Sequence, residues 1–512
     1  MRISMILLLL LAVFFLGCGR TGGDDDDALP GGDDDSNSDD DTTLDDDALI
    51  DDDSFSDDDS GDDDSDDDDS AIDDDSADPY DMLTPSGPKV TEIMGTSSHI
   101  SNSPDPEWTR DFEIEKLGDA GISVLRTDFA WDVIEPQDNV WHPEGYDVMV
   151  NALVAANINV LAILDYGVNW AMPGGSPDEI DPAVFADYAG YVATHFGDRM
   201  RYYEVWNEQN VIRFWKPYPN PEKYGLLLQA ASAAVRANDP DGIVLFGGIA
   251  PFDMFTLGPY GEWNFLMRVH ALYPDVCDWF DKLSIHPYTL AQFFQPETDI
   301  DILWFHYYDL TGAIQHARDL VAQIGCPDKG IWLTEIGWPD LFTGTENQAA
   351  YLVRSLVLAA AAKVEAWMMY TFWDGPPDAV PKSEATFGLF TWPGEEPQAK
   401  PAYSALLTAN QSIGQMQYEG DLGKILGWKA HSNRALAFGD GTGKTSVVVW
   451  KETPFKGETD EVQVPLPHGA AGWRLISQWG EVIGQGEDEG PVAISAGRDV
   501  VYLTFEKPIL VR

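Results

Sequence analysis

Glu208 lies in Tyr202-Tyr203-Glu204-Val205-Trp206-Asn207-Glu208-Gln209-Asn210, and Glu335 in Trp332-Leu333-Thr334-Glu335-Ile336-Gly337-Trp338-Pro339. Each follows an apolar, β-branched or aromatic run that reads as a buried strand, and each sits where that strand should stop. A carboxylate at such a place is costly unless something pairs with it or uses it. Two of them in one pocket are what hydrolysis of a glycosidic bond requires. Other chemistries find less support. The histidines are scattered, with no His-x-x-x-His pair to hold a metal, so neither a metal nor another cofactor is expected. No serine or cysteine has a nucleophile-elbow setting.

The elements that must position these residues begin near Lys89. Apolar strands alternate with amphipathic helices. The strands read as Val90 to Gly95, Ser123 to Thr127, Asn159 to Leu164, Arg201 to Trp206, Ile243 to Phe246, Lys282 to Ile285, Gly330 to Leu333 and Ala366 to Thr371. Helical spacing follows each strand except the last. This order predicts an α/β fold, a (β/α)8 TIM barrel over residues 89–412. A doubly wound sheet would also alternate, but no glycine-rich phosphate loop follows the first strand. In a barrel Glu208, after strand four, and Glu335, after strand seven, share the C-terminal rim, where barrel active sites are built. From residue 418 to 512 short strands separated by Gly and Asp turns predict a small β-sandwich, read as a packing domain for the barrel.

The N-terminus reads differently. Met1-Arg2 gives a positive start, and Ile6 to Leu16 an apolar run too short to span a bilayer comfortably. Residues 18–88 form an Asp/Ser-rich linker with aspartate triplets starting at Asp33, Asp39, Asp45, Asp51 and Asp57. It has almost no aromatic or β-branched residues, so it is expected to be a disordered, extended stalk. Its consecutive triplets lack the spaced ligands of a calcium loop. The net charge is −58, about half of it in this stalk. The remaining acidic surface argues against nucleic acid as a partner and suits a neutral polysaccharide. Of the three cysteines, Cys277 and Cys326 each precede a predicted strand, the sixth and the seventh. They are either a disulfide or two buried thiols.

Residues 1–17, ending Phe15-Leu16-Gly17 before Cys18, resemble a bacterial lipoprotein signal. The resemblance implies cleavage before Cys18, lipidation of its thiol, and an exported protein anchored at the outer membrane or cell surface. Trp206-Asn207-Glu208, Ile285-His286-Pro287-Tyr288 and Thr334-Glu335-Ile336-Gly337-Trp338-Pro339 together resemble clan A retaining glycoside hydrolases. Within that clan they look most like family 39 and the related bacterial exopolysaccharide glycosidases. Gln209 departs from the proline usual after the acid/base. The resemblance implies Glu208 as acid/base and Glu335 as nucleophile in a double displacement, with a carbohydrate partner and a monomeric chain. It also implies substrate contacts for Asn207, at the sugar 2-hydroxyl, and for Trp373, after strand eight. Arg126 matches the clan's strand-two arginine, which either feeds hydrogen bonds to Glu335 or ties the barrel mouth together. Tyr288 is a second donor candidate. His286 either orients acid or substrate or is a satisfied core residue. His99 and Asp165 are further rim candidates. Trp131, Trp170, Trp215 and Trp338 fall near rim loops, where each is either a sugar platform or packing. The alternative function is a non-catalytic carbohydrate-binding surface lipoprotein on a degenerate barrel.

Overall fold

The computed structural model describes residues 78–100, 106–250, 264–289, 294–302, 305–377, 382–393, 397–429 and 431–506. The signal, Cys18 and the Asp-rich tract to residue 77 lie outside the described residues. No helix among the described residues is long and apolar enough to cross a membrane.

Eight parallel strands close into a barrel. They are β1 (Met94–Ser97), β2 (Val124–Ala130), β3 (Asn159–Asp165), β4 (Tyr202–Asn207), β5 (Ile243–Ile249), β6 (Lys282–Ile285), β7 (Gly330–Ile336) and β8 (Ala366–Tyr370). Closure is made by β8 pairing with β1, Trp367 beside Met94 and Tyr370 beside Ser97. The strands read as continuous apolar runs because helices cover the outside and packed side chains fill the inside. The helices are α1 (Pro106–Ala120), α2 (Glu144–Ala155), α3 (Pro182–Phe196), α4 (Pro221–Asn238), α5 (Asn264–Leu272), α6 (Leu310–Gln323), α7 (Thr345–Ala361) and α8 (Pro401–Ile413). Their starts are written in the sequence. Asp181 and Asn220 cap α3 and α4, each followed by a proline at the first helical position, and Asp309 caps α6.

Two expectations change here. The segment Val90 to Ile93 is a helical turn, and the first strand starts at Met94. Glu92 accepts the backbone N–H of Lys89 at 2.9 Å, and this bond at the start of the turn favours it over the β-branched composition. The final strand also has its helix, α8. Its buried Ala402, Ala405, Leu406, Ala409 and Ile413 keep helical spacing, but the Pro- and Gly-rich stretch before it hides the repeat.

Beyond the barrel lies an antiparallel sheet of seven strands. Their order is Ser86–Lys89, Gln417–Asp421, Asn433–Gly439, Lys444–Lys451, Val501–Glu506, Ala471–Ser477 and Val482–Gly486. A two-stranded sheet, Asp460–Val464 with Val492–Ala496, covers one face over Val447, Val449 and Leu503. The opposite face carries Val448, Trp450 and Tyr502 into the same core as the barrel. The linker therefore ends earlier than residue 88. Tyr80 is buried against Phe505 and donates to the Pro465 carbonyl at 2.9 Å, and Ser86–Lys89 is an edge strand. Cys277 and Cys326 are joined in a disulfide that links the segments leading into β6 and β7, at the rim where those strands begin.

Where the sheet meets the barrel, α7 is buried on nearly all sides. Its Arg354 pairs with Glu297, whose Oε1 also accepts from Trp450 Nε1 at 3.0 Å. Trp450 joins shape to hydrogen bonding at this seam. Trp450→Ala is expected to destabilise the protein by about 3–5 kcal/mol, while Trp450→Phe retains most of the packing. Urea unfolding followed by far-UV circular dichroism measures both, and equal stability of the alanine variant and wild type would contradict the seam.

Candidate active site

Glu208 is reached by a bend at the end of β4. Trp206 and Glu208 both adopt left-handed backbone, at φ 69° and 46°. Such a conformation costs about 1–3 kcal/mol in a non-glycine residue and persists where the surroundings over-determine it. Here they do. The Glu208 N–H donates to the Gly248 carbonyl at 3.0 Å. Gln209 Nε2 donates to the Gly247 carbonyl, and Asn210 exchanges two hydrogen bonds with the backbone of Ala250. Gly247 and Gly248 make room for this clamp. A Cβ on Gly247 would lie 2.4 Å from Gln209 Oε1, and one on Gly248 would lie 2.1 Å from His286 Nε2. Gln209, the departure from the proline pattern, is thus the residue that fastens the loop to β5.

Glu335 ends β7 on the same rim. Its Oε1 accepts from Arg126 Nη1 at 2.7 Å and its Oε2 from the Tyr288 hydroxyl at 3.0 Å. Burial alone would raise its pKa. The positive charges of His286 and Arg126, with the bonds from Tyr288 and Arg126, outweigh burial and hold the carboxyl below its usual range. His286, at the end of β6, places Nδ1 at 2.9 Å from Glu208 Oε1 and 3.7 Å from Glu335 Oε2. Burial opposes an imidazolium there, but the carboxylates of Glu335 and Glu208 prevail and raise its pKa. One oxygen of each glutamate and a ring nitrogen of His286 lie within 4.8 Å of one another. A cation would also fit such a trio, but the Arg126 guanidinium already supplies positive charge at Glu335.

Arg126 is the hub. It is 1% exposed and donates to Glu204 at 2.5 Å through Nε, to Ser97 and Glu335 through Nη1, and to Asn207 at 2.9 Å through Nη2. Both readings of Arg126 therefore hold at once: it feeds Glu335 and it ties β1, β2, β4 and β7 together. Asn207 donates onward to the Tyr166 hydroxyl at 2.9 Å.

His99 and Asp165 lie within electrostatic reach of Arg126. His99 Nδ1 lies 2.9 Å from Asp128 Oδ2. Asp165 is fully buried next to Asp128, and neither of its oxygens meets a protein donor. Burial and the Asp128 charge hold its pKa well above normal, so it keeps a proton to share with Asp128. Trp373 packs in an aromatic cluster with Phe112, Phe372 and Phe390, and its Nε1 donates to buried Glu113. Burial raises the Glu113 pKa to about 7. Tyr370 ends β8 with its ring centroid 6.1 Å from that of His99. Trp131, Trp215 and Trp338 are core residues, and Trp170 is half-buried with its Nε1 on the Glu135 carbonyl. Glu204, Thr334, Ser97, Tyr166 and Asp128 went unread as site residues. Glu204 carried a signal, since it is a carboxylate in mid-strand at an inward-facing position.

The sequence matches no family model and no curated protein. The fold, however, is that of family 39 glycoside hydrolases. A family 39 glycoside hydrolase from Bacteroides cellulosilyticus is 23% identical over 81% of this chain and 82% of its own, with TM-score 0.64. A monomeric β-xylosidase from Caulobacter crescentus is 16% identical over 83% of this chain and 98% of its own, with TM-score 0.58. A glucosidase from Croceicoccus marinus is 15% identical over the same shares, with TM-score 0.58.

The Asp165 proton has a thermodynamic signature. A carboxyl whose folded pKa is raised stabilises the fold fully below its unfolded pKa of about 3.9, and that stability is lost as pH rises toward the folded value. Asn at this position is a neutral donor at every pH. Asp165→Asn should therefore gain stability relative to wild type between pH 4 and pH 7, read by urea unfolding at each pH. A gap that stays flat or closes with rising pH would count against the shared proton.

Proposed function

We propose that this chain is a retaining glycoside hydrolase acting on an extracellular or cell-surface polysaccharide. One observation carries the reading: two rim glutamates bring their oxygens within 4.8 Å of each other in unlike surroundings. Retaining enzymes hold their carboxyl groups about 5–5.5 Å apart, and inverting ones about 6.5–9.5 Å to admit a water. Glu335, ringed by donors, is the ionised nucleophile. It attacks the anomeric carbon while Glu208 gives its proton to the leaving oxygen. Glu208 then takes a proton from water, which attacks the same carbon and releases Glu335. Asn207, fixed between Arg126 and Tyr166, stands ready for the hydroxyl next to the anomeric carbon. Similarity in fold to proteins described as a β-xylosidase and a glucosidase supports a glycosidic bond as the target. The strongly acidic surface favours an uncharged glycan. An apolar leader ending just before Cys18 supports export and a lipid anchor.

Glu335→Gln is expected to keep the wild-type circular dichroism, to melt lower because Arg126 loses a charged partner, and to lose activity by at least about 10³-fold. A panel of neutral polysaccharides and aryl glycosides, with the anomer of the first product followed by proton NMR, measures this. Retention supports the double displacement. Binding without turnover by the wild type across the panel would favour a carbohydrate-binding protein, and unchanged turnover in the variant would remove Glu335 from the chemistry.

A further inference from the structure

Glu204 sits beneath both catalytic glutamates and touches neither. One arm runs through Arg126 to Glu335. The other runs from Glu204 Oε1 to the Thr334 hydroxyl at 3.4 Å, then to His286 Nε2 at 3.1 Å, and from His286 Nδ1 to Glu208 at 2.9 Å. Glu204, Thr334 and His286 are all fully buried, so the second arm has no water to substitute for a missing partner.

A hydroxyl has one proton to give. Glu204 is already paired with Arg126 and accepts hydrogen bonds only. If Thr334 donates to Glu204, its oxygen is left to accept, and His286 must present Nε2–H. We infer that Glu204, acting through Thr334, fixes the His286 tautomer with Nε2 protonated and so makes Nδ1 the proton-sharing partner of Glu208. This deepens the hydrolase reading and rests on it. Thr334 and Glu204 are positioning residues.

The assignment balances the protons of the reaction. With Nε2–H held, Glu208 and Nδ1 share one proton between them. That proton leaves with the aglycone oxygen as the glycosidic bond breaks. The Nδ1 lone pair then faces the Glu208 carboxylate, which makes that carboxylate a better base toward water. The incoming water's proton restores the starting state. The charged groups bearing on His286 are Glu208 from the loop after β4, Glu335 from the end of β7 and Arg126 from β2, with Glu204 behind Thr334. None of them offers a second fixed donor to Nε2. The bare backbone of Gly248 lies against that nitrogen.

The test pairs Thr334→Val, which keeps the shape and removes the hydroxyl, with Thr334→Ser, which restores it. Substrates are a glycoside with a poor alkyl leaving group, which needs protonation, and a dinitrophenyl glycoside, which does not. Thr334→Val should lower kcat/KM for the alkyl glycoside by about tenfold or more and leave the dinitrophenyl glycoside within about threefold. Thr334→Ser should recover most of the loss. A loss equal on both substrates, or no loss on either, overturns the assignment. A readout without substrate runs beside it. In protein labelled with nitrogen-15 at histidine, the His286 ring, identified by its absence in His286→Gln, should show Nε2–H in wild type and a mixture of tautomers in Thr334→Val. A wild-type ring with unprotonated Nε2 overturns the inference. Wild-type inactivity on both glycosides would count against the hydrolase reading, and the ring tautomer then decides this one alone.

Discussion

A buried guanidinium cannot shed its charge, and the mouth of this barrel is organised around one. Arg126 stays a cation under all physiological conditions. Removing it from water costs several kcal/mol unless carboxylates and hydrogen bonds surround it. Glu204 and Glu335 supply the charge, while Ser97 and Asn207 take remaining protons. These partners come from three other barrel strands, β1, β4 and β7. The position of Glu335 is therefore set by an interaction that the whole rim must close to make. The same interaction keeps Glu335 ionised, because its negative charge is worth more beside Arg126 than in water.

Glu208 is positioned by another kind of force. Its loop adopts backbone angles that cost energy, and the cost is offset by bonds to the β5 backbone that only a pair of glycines can approach. The two glutamates are thus held by different means. One is held by charge, the other by backbone geometry. A site built this way surrounds its two carboxyl groups differently while holding one oxygen of each within a few ångströms of the other.

The barrel was legible because its strands are continuous apolar runs of the right length, and both glutamates stood out as carboxylates at strand ends. Arg126, His286 and Tyr288 could be found on motif alone. Other features were hidden for physical reasons. Glu204 breaks the strand pattern as a mid-strand carboxylate, but nothing in a linear reading says that the strand-two arginine lies beside it. Trp373 carries a motif-like position, but the neighbouring Phe112 and Phe390 close over its ring, and the sequence gives no sign of that long-range packing. Tyr80 follows a run of aspartates and looks like linker, yet its partner Phe505 lies at the far end of the chain.

The edge strand Ser86–Lys89 has a consequence for how the molecule comes into being. It pairs with Gln417–Asp421, and β1 pairs with β8, so the first structured segments must wait for some of the last. During synthesis the ribosome releases Ser86 long before its partner exists. Contacts of such wide sequence separation form late and slowly. The nascent chain therefore cannot close its barrel until β8 has been made, nor seat Ser86–Lys89 until Gln417–Asp421 follows.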